Sequence, residues 1–288
     1  MTPTDAPVSR RVRPRPFFSR VPLSIGICGA WIIAVVIVGA TAHWIAPYNY
    51  LQQAPISRFA PPGGLPGHLL GTDYLGRDLL SNLLVATQTT LMIAFVGSVI
   101  CAFVGTSLGF LAAHFEGWVD NIIMGFADAM SSVPFIIIAL GVLAFFGSSP
   151  LLFVFLVGVA NWERYARLSR GLVLSANQEG YAEAARIVGV PSLRIYLRHI
   201  LPNIAGPLIV QLTVNFPEII LLESGLSFLG LGIQPPATSL GLMVADGRNY
   251  LAIAWWLTAL PGLMIVLTTL SISLLGDYLR DRFDARLR

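Results

Sequence analysis

The long uncharged ranges of this chain constrain its fold more than any other feature. No Asp, Glu, Lys or Arg occurs in the ranges Val21 to Ser57, Leu79 to Phe115, Ala129 to Trp162, His199 to Pro217 and Asn249 to Gly276. About 20 apolar residues suffice for one helix to cross the hydrocarbon core of a bilayer. With 55% hydrophobic residues, 11% charged residues and a mean hydropathy of +0.73, the composition excludes an ordinary soluble domain. The sequence therefore predicts an all-α polytopic membrane protein.

We predict about six transmembrane helices, because the turn cluster Gly147 to Pro150 divides the third uncharged range into two. The first apolar range is longer than the core of a cleaved signal peptide, so we expect it to remain as a span. Cys28 and Cys101 fall inside predicted spans and indicate buried packing residues, with no disulfide framework or metal site. The predicted spans are Leu23 to Ala46, Thr89 to Ala113, Trp118 to Phe146, Leu151 to Trp162, Ile204 to Leu222 and Trp255 to Gly276.

The positions of the arginines predict the orientation of the chain. All 18 basic residues are arginines, and 15 of them lie before the first span, between the fourth and fifth spans, or after the last. Positive residues near span ends are retained on the cytoplasmic side, so both termini are predicted to be cytoplasmic. The positive charge thus reflects topology and indicates no nucleic-acid partner. The predicted organisation is a basic cytoplasmic leader 1–22, a first transmembrane helix 23–46, an extracytoplasmic loop with an amphipathic helix 47–88, a five-helix core 89–276 that includes a cytoplasmic loop 163–203 and an outer loop 223–254, and a cytoplasmic tail 277–288.

The outer segment before the second span contains a short acidic and basic motif. Asp73 is predicted to cap a helix whose leucines, from Leu75 onward, face the membrane domain. One interpretation is an interfacial helix. The other is a recognition surface for an extracytoplasmic partner, with Asp73, Arg77 and Asp78 as contacts.

Three carboxylates are candidates for polar groups within the membrane or the pathway. Asp128 lies in the third predicted span, where a charged residue marks a function or a polar contact between helices. A structural hydrogen bond, a place in the pathway and proton coupling all remain open for Asp128. Glu218 and Glu223 are predicted near the outer end of the fifth span, where they reach water or an arginine as caps or gate contacts.

The predicted cytoplasmic loop 163–203 is longer than a connector needs. Its helix presents a small-residue face, and Gly189 is suited to end that helix in the left-handed conformation. Such a helix fits a groove on a partner protein, and an amphipathic hairpin without a partner is the alternative. The candidate coupling residues are Tyr181, Glu183, Ala184, Ala185, Gly189, Ile200 and Pro202.

The pattern Glu-Ala-Ala, three residues, Gly and a later Ile-Leu-Pro resembles the coupling loop of permease subunits in binding-protein-dependent ABC importers. The range 226–236, with Ser239-Leu-Gly241, is similar to the peptide and nickel branch of that family, specifically to the second permease of dipeptide or oligopeptide importers. The outer motif 68–78 is also similar to a signature of the family. The resemblance covers residues 20 to 286.

This resemblance implies a type I importer permease fold in the inner membrane of a prokaryote. It implies translocation of dipeptides or oligopeptides by alternating access, with nickel or glutathione as alternative substrates. The implied partners are a homologous permease, two ATPase subunits and an extracytoplasmic substrate-binding protein. ATP and Mg would be bound by the ATPase subunits, and this chain would be non-catalytic, with no cofactor or metal of its own.

Other functional classes fit the sequence less well. A P-loop requires a lysine, which the chain lacks. An ion-coupled secondary transporter would need intramembrane charge pairs or an inverted repeat, and the sequence offers only Asp128. An intramembrane hydrolase using Ser227 lacks a credible histidine base.

Overall fold

The computed structural model describes residues 22–147, 149–180 and 187–287. In those ranges the chain is helical, and the one β-bridge joins Thr72 and Asp78. A π-helical turn, Tyr196–Ile200, connects the short helix Ser192–Ile195 to the long helix that begins at Leu201. The prediction of an all-α protein is therefore confirmed. The helices are α1 Leu23–Ile45, α2 Leu79–Phe115, α3 Gly117–Ser132, α4 Phe135–Phe146, α5 Pro150–Gly158, α6 Trp162–Asn177, α7 Ser192–Ile195, α8 Leu201–Phe228, α9 Leu240–Gly247 and α10 Trp256–Leu287.

Short polar residues and glycines set several helix boundaries. Gly147, with φ +78°, ends α4, and the Ser149 side chain accepts a hydrogen bond from the first turn of α5, where Pro150 needs no donor. The predicted turn between residues 147 and 150 is therefore present. Ser239 caps α9 in the same way.

Four helical stretches of the described residues are long and apolar enough to cross a membrane, namely 23–45, 79–115, 192–228 and 256–282. Helices α3 and α4, which meet at a 90° bend, form a fifth if the pair is one span. The fourth predicted span, Leu151 to Trp162, differs from the structure. Helix α5 has only nine residues, and Asn161, with φ +61°, separates it from α6. A left-handed residue interrupts the helical hydrogen-bond ladder there.

The predicted helix start at Asp73 is wrong. The Asp73 carboxylate accepts hydrogen bonds from two backbone N–H groups at 2.8 Å and from Arg77 Nε at 2.6 Å, which closes a turn. Asp78 is the helix cap, since it accepts from the Ser81 backbone N–H at 2.8 Å. Helix α2 then runs unbroken from Leu79 through the second predicted span. The predicted amphipathic helix within 47–88 is therefore a loop followed by the first turns of α2.

Helix α2 is the centre of the packing. Its midpoint, Gly97, lies level with Val157 of α5 and Ile219 of α8, because a Cβ added at Gly97 would be 3.6 Å and 3.5 Å from these two side chains. Further along, Gly105 and Gly109 form a Gly-x-x-x-Gly pair that lets the backbone of α6 approach closely. Cys28 and Cys101 are buried, as predicted. The buried core joins α2, α5, α8, α9 and α10 through residues such as Ile93, Phe153, Ile220, Leu226, Leu240 and Leu257.

Candidate functional site

Glu218 pairs with an arginine of α6 near the level of the α2 midpoint. The guanidinium of Arg164 on α6 donates to the two carboxylate oxygens of Glu218 on α8 at 2.8 and 2.7 Å. The Asn161 side-chain amide donates to the same carboxylate at 3.2 Å. The predicted arginine contact is therefore present, but its position is corrected. Helix α8 continues to Phe228, so Glu218 lies near the level of the α2 midpoint and not at the outer end of a span.

Asp128 pairs with the next arginine along α6. Arg167 donates to the Asp128 carboxylate at 3.1 Å and to the Ser131 hydroxyl at 2.8 Å. The Asp128 side chain is 73% exposed and that of Arg167 is 41% exposed. This contact agrees with the interpretation of Asp128 as a polar link between helices, here α3 and α6. Because its side chain is exposed, Asp128 is also accessible to solvent.

A third arginine on the same helix, Arg170, has a carboxylate partner that the sequence reasoning missed. Arg170 donates to both oxygens of Asp120, in the first turn of α3, at 2.5 Å. The i, i+3, i+6 spacing of Arg164, Arg167 and Arg170 is visible in the sequence and places them along one side of a helix. As orientation signals alone, these arginines predict no ion pair between helices, and the structure shows that each of the three forms one.

Two helix breaks border one cavity beside these arginines. The cavity has a volume of about 320 Å³ and is called here the central cavity. The 90° bend between α3 and α4 contributes Pro134, and the left-handed break before α6 contributes Asn161. Broken helices near the membrane midplane are where transporters form substrate sites. The residues that carry its polarity are Ser131, Asn161, Glu163, Arg164 and Arg167.

A larger groove lies elsewhere, between α2 and the segment from α7 to α8. Its volume is about 770 Å³, and its lining is apolar apart from a few hydroxyl groups and His114. An apolar surface of this kind suits lipid or a packed helix. The smaller central cavity, with its arginines and its carboxylate, is the one suited to a charged solute.

Glu223 is fully buried, which corrects the prediction that it reaches water or an arginine. Its carboxylate accepts a hydrogen bond from Ser227 at 2.8 Å and lies 3.4 Å from the hydroxyl groups of Thr90 and Ser224. The Thr90 hydroxyl also accepts from the Leu240 backbone N–H at 3.0 Å. Glu223 thus belongs to a polar cluster that joins α2, α8 and α9.

The outer candidates Asp73, Arg77 and Asp78 shape a loop instead of exposing their charges. Asp73 and Asp78 are 4% and 3% exposed. Asp73 binds Arg77, and Asp78 lies 2.8 Å from Nδ1 of His68 while it caps α2. A partner would therefore contact the surface that these residues organise, and not their carboxylates.

The same outer loop is joined to α9 and to the segment that follows it. The Tyr74 hydroxyl donates to the Asp246 carboxylate at 3.2 Å, and the Tyr74 ring stacks on Tyr250. Burial raises the pKa of Asp246 above its usual range. Burial, followed by the charge of Asp246, raises the pKa of Tyr74.

Part of the predicted coupling segment lies outside the described residues, namely Tyr181, Glu183, Ala184 and Ala185. Gly189 has φ +81°, the left-handed conformation predicted for it. Before it, Ile187 and Val188 are 80% and 81% exposed. The coupling role of these residues stays a prediction.

The remaining coupling candidates lie where the loop enters the membrane domain. Ile200 is buried with Ile195 and Tyr196 against the end of α2 and against α6. Pro202 is the second residue of α8, directly after the π-helical turn Tyr196–Ile200. The loop is therefore joined directly to the helix that carries Glu218.

Comparison with known proteins defines the class. Residues 105–288 match the family described as binding-protein-dependent transport system inner membrane component, and the chain belongs to this family. It is 37% identical to the di/tripeptide transport system permease protein DppC of Pseudomonas aeruginosa, with 90% of this chain and 86% of that protein covered. It is 35% identical to the glutathione transport system permease protein GsiD of Pectobacterium atrosepticum, with 90% and 86% covered.

A solved structure confirms the fold. A chain from inward-facing conformations of the MetNI methionine ABC transporter superposes with a TM-score of 0.55 at 20% sequence identity, and the match covers 69% of this chain and 95% of that one. By its family and its relatives, the protein is a multi-pass inner-membrane permease subunit of an ABC importer. Such an importer includes an ATPase and a substrate-binding protein.

Proposed function

We propose that this chain is one of two permease subunits that carry dipeptides or oligopeptides across the inner membrane by ATP-driven alternating access. The observation that supports the substrate class is the similarity, over about nine tenths of the chain, to permeases named for di/tripeptide, dipeptide and oligopeptide transport. Relatives named for glutathione transport make this tripeptide the second substrate to test. Nickel, the other alternative that the resemblance implied, belongs in the same assay.

The partners in this proposal are a homologous permease, two ATPase subunits and an extracytoplasmic binding protein. The chain has no lysine and so has no P-loop of its own. ATP and Mg are accordingly assigned to the ATPase subunits, and this chain is assigned a non-catalytic role. The outer loop organised by Asp73, Arg77 and Asp78 is the assigned docking surface for the binding protein.

The coupling segment, residues 181–202, transmits ATPase closure in this proposal. The exposed Ile187 and Val188 offer an apolar surface to a partner, and Gly189 turns the chain sharply after them. Beyond the turn, the buried residues Ile195 and Ile200 anchor the segment against α2 and α6. A push on the loop would therefore move the start of α8, and with it the helix that pairs with α6 through Glu218.

The experiment is peptide uptake into proteoliposomes that contain the purified complex, with ATP inside and loaded binding protein outside. We expect ATP-dependent uptake of a labelled dipeptide or tripeptide, with glutathione and nickel run in parallel. Uptake that persists without ATP and follows a proton gradient would refute the ATP-driven mechanism. ATP-dependent uptake of nickel alone would refute the peptide assignment.

The coupling role is tested by Gly189→Val against the control Gly171→Val. Both glycines have open space where a Cβ would be added, but only Gly189 has a positive φ, so only that substitution strains the backbone. We expect Gly189→Val to lower transport and ATPase retention by at least 5-fold relative to Gly171→Val, since Val at this φ shifts the docking loop. Equal transport and equal ATPase binding in the two variants would remove the coupling role from this segment.

A further inference from the structure

We infer that the central cavity is a contact site for the charged termini of the peptide on its way through the membrane. This inference rests on the proposed peptide transport and adds a place and a chemistry to it. The transported zwitterion would exchange partners with the ion pairs that border the cavity. Its α-carboxylate would bind Arg164 and Arg167, and its α-ammonium group would bind Glu218 and Asp128.

The depth of the site supports this inference. Glu218 is adjacent to Ile219, which lies level with the midpoint of α2. Unpaired charges at that depth are costly, so ionisable residues there pair with one another or face a water-filled path. The two pairs of this cavity are only partly covered, with side-chain exposures of 46% and 37% for Arg164 and Glu218. They are therefore paired and also within reach of a solute.

The charges of the two ion pairs balance those of a zwitterion. Arg164 and Arg167 with their partners Glu218 and Asp128 sum to zero, so a ligand with one positive and one negative terminus replaces both pairs without adding a net charge. Glu163, which lines the cavity itself, adds one negative charge there and gives the α-ammonium group a further carboxylate nearby. A peptide with one blocked terminus would leave one protein charge without a partner, which is unfavourable away from water. The cavity volume of about 320 Å³ is at the small end of ligand pockets, so it suits a short peptide with both termini inside better than a long peptide.

The helix breaks supply polar backbone and side-chain groups at the same place. Asn161 is held in a left-handed conformation, and its amide already contacts the Glu218 carboxylate. Val133 and Pro134, at the bend between α3 and α4, line the same cavity. The cavity is thus bordered by two of the points at which helices of this chain are interrupted.

A purely structural role for the Arg164–Glu218 pair makes a different prediction from a substrate role. If the pair only stabilises the fold, Arg164→Gln leaves a lone carboxylate, and the double variant Arg164→Gln, Glu218→Gln relieves it. If the pair binds peptide termini, the double variant still lacks both contacts. The matched control is Arg170→Gln, which removes the Asp120 contact outside the cavity.

The experiment measures trialanine uptake by the reconstituted full complex. The uptake rate is normalised to the amount of assembled complex and to the amount of peptide-loaded binding protein. The second readout is the ATPase activity that the binding protein stimulates. We expect uptake to fall at least 10-fold in Arg164→Gln and in the double variant, to stay within 3-fold of wild type in Arg170→Gln, and ATPase stimulation to persist in all three. Recovery of uptake in the double variant would overturn the inference, as would unchanged uptake in Arg164→Gln. Failure of the wild-type complex to transport trialanine or any other peptide would instead refute the proposed function.

The ligand chemistry is tested with trialanine blocked at one end. Trialanine amide and N-acetyl-trialanine are compared with trialanine in wild type and in the double variant, again per loaded binding protein. We expect wild type to favour the zwitterion at least 5-fold and the double variant to lose that preference. An equal preference in both proteins would place discrimination outside this cavity and overturn the inference.

Discussion

The close approach of α2 and α6 at Gly105 gives the sharpest test of the structure. A Cβ added at Gly105 would overlap the carbonyl oxygen of Trp162, and it would lie 2.5 Å from Cβ of Tyr165 and 3.2 Å from the carbonyl carbon of Trp162. Ordinary contacts begin near 3.4 Å, so the Tyr165 contact alone is 0.9 Å too short (3.4 minus 2.5), and the two helices must move apart. Tyr165 and Trp162 are 0% and 4% exposed, and neither can rotate its Cβ or backbone out of the way.

We therefore expect Gly105→Ala to destabilise the protein by overpacking. Forcing one methyl group into a packed interface costs about 1 to 3 kcal/mol. The matched control is Gly171→Ala, also at a helical glycine, where the added Cβ would contact no neighbouring element within 4 Å. Both substitutions gain the same helix propensity of about 1 kcal/mol, so the difference between the two variants isolates the packing cost.

The assay is thermal unfolding of the detergent-purified complex, followed by tryptophan fluorescence. At roughly 2 to 4 °C per kcal/mol for a chain of this size, we expect Gly105→Ala to melt about 2 to 12 °C below Gly171→Ala. Peptide uptake should fall as well, because Arg164 follows Trp162 by two positions and moves with it. Equal melting temperatures for the two variants would refute the close α2–α6 contact.

Three further predictions concern the outer loop and are checked by thermal unfolding. Asp78→Ala removes the cap of α2 and should cost about 1 kcal/mol or more, whereas Asp78→Asn keeps a capping oxygen for Ser81 and should cost less. Gly76→Ala should destabilise the loop, because φ is +75° and the new Cβ would overlap a backbone carbonyl group; no loss of stability would refute that geometry. The pKa of Asp246 is higher in the folded protein than in the unfolded chain, where it is about 3.9. Protonated Asp246 therefore favours folding below about pH 3.9, and that stability is lost as the pH rises through the folded-state pKa. Asp246→Asn, which still accepts from Tyr74, should therefore gain stability relative to wild type between pH 4 and pH 7, and a constant difference would contradict the burial of this carboxylate.

Composition and local motifs predicted much of the fold. The uncharged ranges located the long helices, and the Gly-Ser-Ser-Pro cluster located the turn between α4 and α5. The conformation of Gly189 also followed from local chemistry, since glycine is the residue that adopts a positive φ without strain. In the outer motif, Asp73 and Asp78 are equally suited to cap a helix by residue type. Gly71 and Gly76 pack closely against backbone of the preceding segment, which keeps residues 71–77 in a loop. Helix α2 therefore begins after Asp78 and not after Asp73.

The candidate site was predictable only in part. Asp128 and Glu218 were identified as polar residues of the membrane domain, but their partners on α6 are separated from them by 39 and 54 positions. No local pattern specifies such pairs. The break at Asn161 was also not predicted, because asparagine adopts the left-handed conformation only in a minority of cases. The uncharged range up to Trp162 therefore resembled a continuous span.

Three of the arginines that predicted the orientation also form ion pairs between helices. Arg164, Arg167 and Arg170 descend along α6 from the midpoint level of α2 toward Asp120, which follows the end of α2 by five positions. If these three are left out of the orientation count, 12 of the remaining 15 arginines still lie on the predicted cytoplasmic side, in the leader, the tail and the coupling segment. The orientation prediction therefore does not depend on them.

With the end of α2 on the cytoplasmic side, the ion pairs occupy the inner half of the pathway. Rearrangement of α8 against α6, driven through the coupling segment, would then act first on the Arg164–Glu218 contact, which is the contact nearest the midplane.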